Sequence, residues 1–390
     1  METMTDQGLD FQLTEEMSLL QKTARDFAEA EIRPHVMKYD EAQEFPIPIV
    51  QKMGELGFLG ATVPHDLGGA GLSALEFVVI MEEIARVDPS VALTLAAHSG
   101  LCLEHIRLWG NDEQQKKYVP DLASGKKIGS WCLTEPSAGS DAGGMKTHAV
   151  RDGEFYVING SKTFITNGSY ASTFVVMAKT DMNSGKKKIS ALIVERDMKG
   201  VSIGKKENKL GMRASDTVQV NFENVRVPKE NLIGNEGEGF SQALAVLDSG
   251  RIGIAALSVG LAQGAFEAAV KYSKERQAFG KSLAEFQGIQ FKIADMATEI
   301  QAARLLTYRA AEAKAKGKNI NLVAAQAKFF ASEAAQRAAT EAVQIHGGYG
   351  FIKEFPVEKF YRDVKLLTIG EGTSEVQRMV IARNLLEQNH

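Results

Sequence analysis

One acidic side chain near the C-terminus lies where it could do chemistry. Glu371 is flanked by Gly370 and Gly372 in the stretch LLTIGEGTSEVQRMV. Ser374 and Gln377 have the spacing of a helix-capping box, and the apolar residues after them have helical spacing. We therefore expect Glu371 on a turn just before a helix, with glycines that let a ligand come close. The same pattern also fits an ordinary flexible helix entry with a solvated acid.

Four further segments combine polar side chains with glycine. WCLTEPSAGSDAGGM (131–145) offers hydroxyl groups and unhindered backbone N–H groups to a polar ligand, and KTFITNGSY (162–170) carries an aromatic ring, a hydroxyl group and an Asn-Gly turn. QIHGGYG (344–350) is a glycine-rich break between helices. RQAFGKSLAEFQ (276–287) adds a cation and an amide at the start of a helix. Each segment alone fits an ordinary loop, but their occurrence together favours a ligand site.

Composition restricts the class of protein. The chain has 390 residues, of which 44% are hydrophobic and 24% charged, as in globular proteins of two or three domains. Lys plus Arg is 45 and Asp plus Glu is 49, so the net charge of −4 gives no support for a general nucleic-acid partner. Cys102 and Cys132 lie far apart in apolar surroundings, which indicates a reducing compartment without disulfides. Neither the cysteines nor the histidines have metal-ligand spacing, so no metal is expected.

The N-terminal residues and the lengths of the apolar runs indicate in which cellular compartment the protein lies. The first residues, METMTDQGLDFQLTEEM, are acidic and lack the apolar core of a signal sequence. No uninterrupted apolar run reaches the ~18 residues of a membrane span. We therefore expect a cytoplasmic protein of a bacterium without a membrane partner, or a mitochondrial matrix protein if a transit peptide has been removed.

The spacing of apolar residues changes twice along the chain. Residues 1–126 have helical spacing, as in ALEFVVIMEEIARV. Residues 127–235 contain β-type runs such as STFVVMAKT and TVQVNFENVRV, separated by Asn-Gly and Asp-Gly turns. Residues 236–390 return to long helical patterns. The sequence predicts an α+β fold that is mostly helical, with an N-terminal helical domain, a middle antiparallel β domain and a C-terminal domain resembling a four-helix bundle.

Six segments, taken in order, resemble the acyl-CoA dehydrogenase family. They are LTEPSAGSD, FITNG, LDSGRIGIAA, RQAFGKSLAEFQ, QIHGGYG and EGTSEVQR, and the likeness covers nearly the whole chain. It is greatest to short-chain members of the butyryl-CoA type. The resemblance implies an FAD-containing homotetramer that converts acyl-CoA to trans-2-enoyl-CoA and passes electrons to an electron-transfer flavoprotein. It implies that Glu371 removes the α-proton while flavin N5 takes the β-hydride.

The resemblance also implies which residues contact each ligand. Ser140, Asp248, Arg251 and Gly372 would contact the acyl-CoA substrate. The residues implied for FAD, some of them acting across a subunit boundary, are Trp131, Cys132, Leu133, Thr134, Ser140, Phe164, Ile165, Thr166, Arg276, Phe279, Gln287, Gln344, Gly347, Gly348, Thr373 and Glu375.

Three positions differ from relatives. Relatives of the isovaleryl type carry the catalytic acid on the LDSGR helix, where this chain has Gly250. Many relatives have Trp at the position of Phe164, so stacking on the flavin should be weaker here. Many short-chain relatives have Tyr at the position of Gly370, and the missing ring could widen the acyl pocket.

Two other functions fit the same scaffold. An acyl-CoA oxidase would run the same flavin chemistry with oxygen as the electron acceptor, although the C-terminal EQNH does not resemble a peroxisomal address. A non-catalytic flavin- or acyl-CoA-binding protein would need no base at position 371. The acyl length, its branching and the direction of the reaction stay open at this level.

Overall fold

Helices occupy both ends of the described chain, and strands occupy its middle. The computed structural model describes residues 13–181 and 188–387. Most of the N-terminal stretch and the last three residues, on which the expectations about targeting depend, lie outside the described residues. The order of helices and strands confirms the predicted fold class. The exact domain boundaries stay predictions.

The helices before the sheet are short, and three of those after it are much longer. The N-terminal helices are α1 (Glu15–Phe27), α2 (Val36–Ala42), α3 (Ile47–Glu55), α4 (Ala74–Val87), α5 (Pro89–Leu95), α6 (Glu104–Trp109) and α7 (Asp112–Ala123). A π-helical turn, Ala96–Leu103, joins α5 to α6. The C-terminal helices are α8 (Gly239–Glu275), α9 (Gln287–Ala315), α10 (Asn321–His346), α11 (Val357–Asp363) and α12 (Ser374–Glu387).

Eight strands form one sheet in the middle of the chain. They are β1 (Ile128–Cys132), β2 (His148–Asp152), β3 (Phe155–Thr166), β4 (Ala171–Asp181), β5 (Lys188–Glu195), β6 (Val201–Lys206), β7 (Thr217–Pro228) and β8 (Leu232–Ile233). Their order is β6-β7-β3-β2-β4-β5-β8, with β1 beside β4. Most neighbours are antiparallel, as predicted, but β1 and β2 run parallel to β4. A small hairpin, β9 (Gln277–Ala278) with β10 (Lys281–Ser282), lies between α8 and α9.

The two helical parts share one hydrophobic core. Ile84 of α4, Leu257 of α8 and Ala335 of α10 belong to a single buried cluster. Full burial of a side chain such as Leu257 contributes about 1.5–3 kcal/mol relative to exposure. The N-terminal and C-terminal helices therefore stabilise each other, although the sheet separates them along the chain.

Two glycines allow α8 to pack closely on α4. A Cβ atom at Gly260 would lie 2.3 Å from the carbonyl oxygen of Glu82, and one at Gly264 would lie 2.2 Å from that of Arg86. Any larger residue would push the two helices apart. Among the described helices, α8 alone is long and apolar enough to cross a membrane, but 72% of its most apolar window is buried inside the protein. It is therefore best described as a core helix.

Replacing a buried lysine should test how the helical parts are held together. Lys359 Nζ lies 2.8 Å from Asp88 Oδ1 and 2.5 Å from Asp363 Oδ2, and all three side chains are buried. Lys359→Met leaves two carboxylates buried without their cation, so the free energy of unfolding should fall by about 3–5 kcal/mol. Urea unfolding followed by circular dichroism measures it. Lys22→Met, which breaks the exposed pair with Asp26, is the control, and an equal effect in both variants would contradict the prediction.

Candidate active site

Glu371 lies in the turn before α12, as the sequence predicts. Its φ angle is +52°, in the left-handed region that residues other than glycine rarely adopt. The helix begins at Ser374, but the predicted capping box is wrong. Thr373 Oγ1 accepts from the backbone N–H of Val376 at 3.3 Å. Ser374 is itself the first residue of the helix rather than the residue before it, and its hydroxyl donates to Glu333 Oε1 on α10 at 2.6 Å.

Two buried side chains hold the backbone around Glu371. Gln377 Nε2 donates to the carbonyl oxygens of Glu371 at 3.2 Å and Gly372 at 3.0 Å. Lys328 Nζ, on α10, donates to the same Gly372 oxygen at 2.7 Å. Both side chains are fully buried. Our reading of the sequence missed Lys328, although a lysine at a core position of the alanine-rich run AAQAKFFAS was a usable signal.

The Glu371 carboxyl group is placed against α8. Although the residue as a whole is partly exposed, its Oε2 atom is buried without a hydrogen-bond partner among the described residues. A Cβ atom at Gly250 would lie 2.1 Å from Oε2 and 2.9 Å from Leu101 Cδ2. Position 250, where isovaleryl-type relatives carry the acid, therefore borders the same carboxyl group.

Burial and nearby cations shift the pKa of Glu371 in opposite directions. Desolvation raises the pKa of Glu371 to about 7, and the positive charges of Lys328 and Arg251 limit that rise. The ordinary value is 4.5. A carboxyl group with a pKa near 7 is a much stronger base than an exposed one and still ionises near neutral pH.

Most of the residues predicted for the substrate lie around this carboxyl group. Arg251 is buried on α8 and forms an ion pair with Asp248, while its Nε has no partner among the residues described. Asn321 donates to both Asp248 oxygens, at 2.9 and 3.0 Å. Gly372 directly follows the base. Ser140 is exposed in the loop between β1 and β2, and no hydrogen bond joins it to this cluster among the described residues.

The two segments predicted for the flavin ring lie side by side. The N–H of Thr163 donates to the carbonyl of Thr134 at 2.9 Å. Lys162 Nζ donates to the carbonyl of Leu133 at 3.0 Å and to Glu135 Oε1 at 2.8 Å. Lys162 and Glu135 are both buried. This ion pair, which the sequence analysis missed, anchors the loop that follows β1.

The side chains of these two segments face in different directions. Trp131, Cys132, Leu133 and Ile165 are buried, so a ligand here would meet their backbone groups. The indole N–H of Trp131 donates to His105 Nδ1 at 3.0 Å, away from any ligand. The residues left partly or fully exposed are Thr134, Phe164 and Thr166, with Phe164 exposed by 65%.

Four residues predicted for the nucleotide half of FAD line one cavity. Arg276, Gln344, Gly347 and Gly348 surround a volume of about 610 Å³ where α8 and α10 end. An ideal Cβ at either glycine would meet nothing within 4 Å, so the backbone is open to a ligand. A guanidinium group, an amide and open backbone suit phosphate and nucleotide groups. The residues present therefore fit this half of the cofactor.

The remaining predicted cofactor residues lie outside that cavity. Phe279, in the turn between β9 and β10, is 95% exposed, and Gln287, at the start of α9, is exposed too. Thr373 and Glu375 are at the start of α12 next to Glu371. The structure thus divides the predicted cofactor residues among four places, which are the segments around β1 and β3, the cavity, the β9–β10 hairpin with the start of α9, and the start of α12. It leaves their roles as predictions.

Backbone strain coincides with these groups. Phe164, Phe279 and Glu371 all have φ between +52° and +56°. Such strain persists only where the surrounding structure enforces it, and it is concentrated at functional sites.

The fold and the site define a three-part α+β protein with a buried carboxyl oxygen at Glu371 and a separate cavity of about 610 Å³. Family models for the N-terminal, middle and C-terminal domains of acyl-CoA dehydrogenases match residues 14–126, 130–225 and 237–386. The chain belongs to the acyl-CoA dehydrogenase family, whose members are FAD-dependent oxidoreductases.

Individual relatives are similar over their whole length. The short-chain specific acyl-CoA dehydrogenase of Clostridium acetobutylicum is 48% identical over 96% of this chain and 99% of its own. A subunit of the caffeyl-CoA reductase–Etf complex of Acetobacterium woodii is 47% identical over 96% and 99%. The structure of butyryl-CoA dehydrogenase from Megasphaera elsdenii superposes with a TM-score of 0.95 at 43% identity, covering 97% of this chain and 100% of the other.

A methyl group added at position 250 should displace the base. In Gly250→Ala the new Cβ would overlap Glu371 Oε2, which lies 2.1 Å from its ideal position. Because a carboxyl group can swing away, the fold should survive while the rate of flavin reduction by acyl-CoA falls by roughly tenfold or more. Anaerobic stopped-flow spectroscopy measures the rate.

Gly253→Ala adds the same methyl to the same helix and to the wall of the same small cavity, but its Cβ meets nothing within 4 Å and so does not touch the carboxyl group. Its reduction rate should fall much less. Equal losses in the two variants would show that the contact with Glu371 is not the cause.

Proposed function

We propose that this protein dehydrogenates short-chain acyl-CoA thioesters, with Glu371 as the base that removes the α-proton. The observation that carries the proposal is the buried Glu371 Oε2, which has no partner among the described atoms and belongs to a carboxyl group with a pKa of about 7. A structural acid would instead be paired or exposed. The short-chain specific relative and the butyryl-CoA dehydrogenase structure support the substrate class.

The residues around Glu371 assist proton removal. Bound substrate would exclude water and raise the pKa of Glu371 further, which strengthens the base. Its backbone N–H would donate to the thioester carbonyl oxygen and stabilise the negative charge that develops there. Arg251 and Asp248 would orient the acyl-CoA beside the base. FAD, when bound, supplies the hydride acceptor for the β-carbon.

Separate groups of residues would hold the two ends of the cofactor. The loop anchored by Lys162 and Glu135 would support the flavin ring through its backbone groups. Arg276 and Gln344 would contact the nucleotide half in the 610 Å³ cavity. We infer a homotetramer from the family resemblance, and the exposure of Phe279, Phe291 and Phe351 of the C-terminal part, by 95%, 59% and 87% in the single chain, supports contacts between copies.

An electron-transfer flavoprotein is the proposed electron acceptor. The support is the relative from Acetobacterium woodii, which is a subunit of a complex with such a flavoprotein. An oxidase would instead produce hydrogen peroxide in air, so the two acceptors are distinguishable by assay.

The space beside the base supports a short acyl chain. A cavity of only about 20 Å³ lies next to Gly250, lined also by Phe77 and Ser99. That volume is close to the space of one water molecule. At Gly370, the atoms nearest to an ideal Cβ are those of Leu366, at 3.5 Å or more, so this position has room for a side chain.

Glu371→Gln should nearly abolish flavin reduction. The amide keeps the size of the acid but cannot accept the α-proton, so the rate should fall by about 10²–10⁴-fold while FAD content is retained. Anaerobic stopped-flow reduction by butyryl-CoA measures the loss. Glu113→Gln, at an exposed acid of α7, is the control and should reduce at the normal rate. Similar rates in Glu371→Gln and the native protein would refute the assignment of the base.

The value of kcat/KM should fall steeply as the acyl chain becomes longer than butyryl. We expect the highest kcat/KM near butyryl-CoA, with some activity on branched or slightly longer chains. One methylene changes discrimination by roughly 1–3 kcal/mol, so palmitoyl-CoA should be a very poor substrate. A series of acyl-CoA thioesters assayed with electron-transfer flavoprotein measures the dependence. An optimum at palmitoyl-CoA would contradict the short-chain assignment, and rapid peroxide formation in air would favour the oxidase.

A further inference from the structure

Lys328 is a fully buried cation next to the base. Its side chain is inaccessible to solvent, and its Nζ lies 2.7 Å from the carbonyl oxygen of Gly372. No ion pair among the described residues includes Lys328. A buried ammonium group is costly unless an opposite charge offsets it. Among the neighbouring charges, the carboxyl group of Glu371 does most to stabilise the charged form of Lys328.

The other charged groups near Glu371 have partners of their own or are exposed. On α8, Arg251 is ion-paired with Asp248. On α10, Glu333 accepts from the Ser374 hydroxyl. On α12, Glu375 is exposed. Arg251 is thus ion-paired, whereas Lys328 forms no ion pair among the described residues.

Lys328 also stabilises the backbone of the turn, through its hydrogen bond to the Gly372 carbonyl. Glu371 and Gly372 have successive φ angles of +52° and +92°. For a residue other than glycine this conformation is strained and needs external support. Lys328 and Gln377 supply that support by donating to the Gly372 carbonyl from two different helices.

We propose that Lys328 is a positioning residue for the base: it holds the strained turn that carries Glu371 and supplies the positive charge that keeps the carboxylate ionised. This inference rests on the proposed role of Glu371. Without Lys328, the buried carboxyl group would face only Arg251, whose charge is shared with Asp248. The carboxyl group would then ionise at higher pH, and its place in the turn would be less defined.

The pKa values agree with this arrangement. Burial lowers the pKa of Lys328 to about 8, while the charge of Glu371 opposes the fall. The pKa of Glu371 is about 7. Because the charge of each group shifts the pKa of the other, the two titrate as a coupled pair. Between these values both are charged, and each stabilises the charged form of the other.

The test compares Lys328→Met with the native protein. Methionine fills nearly the same volume but carries neither charge nor donor. Because the charge of Lys328 lowers the pKa of Glu371, its removal should move the ionisation of Glu371 to higher pH by about one unit or more. Infrared difference spectra across pH follow the protonated carboxyl band of Glu371, which is identified by its loss in Glu371→Gln. The pH profile of flavin reduction by butyryl-CoA should shift in the same direction.

Three companion variants make the result specific. Lys328→Arg keeps the charge, so the pH midpoint of Glu371 ionisation should stay within about 0.3 unit of the native value. Lys328→Gln removes the charge but keeps a donor, and it should shift the midpoint as Met does, which provides a second reading if the Met variant does not fold. Lys292→Met removes a cation that pairs with Glu341 on the surface of α9, and its midpoint should not move.

The outcomes separate this inference from the proposed function. An infrared midpoint that is unchanged in folded, FAD-containing Lys328→Met or Lys328→Gln protein would overturn the role of Lys328. An infrared midpoint that shifts while the pH profile of reduction stays fixed would support Lys328 but show that Glu371 is not the base.

Discussion

A single carboxyl group must stay buried and yet become ionised, and the rest of the site is arranged around that conflict. Burial alone would leave Glu371 protonated at neutral pH, when it could accept no proton. An exposed carboxylate would ionise easily but would be a weak base for a carbon acid. Desolvation on one side and the charges of Lys328 and Arg251 on the other bring the pKa to about 7. The balance requires α8, α10 and the turn before α12 to meet at one point.

The helical packing makes that meeting possible. Glycines at positions 260 and 264 bring α8 close to α4, and one hydrophobic cluster joins the N-terminal and C-terminal helices. Gly250, on the same long helix, leaves the space that the Glu371 carboxyl group occupies. The core that stabilises the fold therefore also sets the surroundings of the base.

Two buried lysines perform similar tasks at the two predicted ligand sites. Lys162 donates to the carbonyl of Leu133, and Lys328 donates to the carbonyl of Gly372. In each case a charged side chain from a regular element fixes an irregular segment that has little packing of its own. Glu135 offsets the charge of Lys162, and Glu371 interacts with that of Lys328. Such anchoring lets a glycine-rich segment stay open to a ligand without becoming disordered.

The sequence by itself determined the order of helices and strands, the family and the position of Glu371 before a helix. Those properties follow from local periodicity, glycine placement and short motifs, which are readable along the chain. Only the tertiary structure decided which cations face Glu371 and that Gly250 borders its carboxyl group. It also replaced the expected Ser374 cap by Thr373, whose hydroxyl accepts from the N–H of Val376, while the Ser374 hydroxyl donates to Glu333 on α10. These contacts join residues about 40 to 120 positions apart, and their energies depend on burial and distance, which no local pattern encodes.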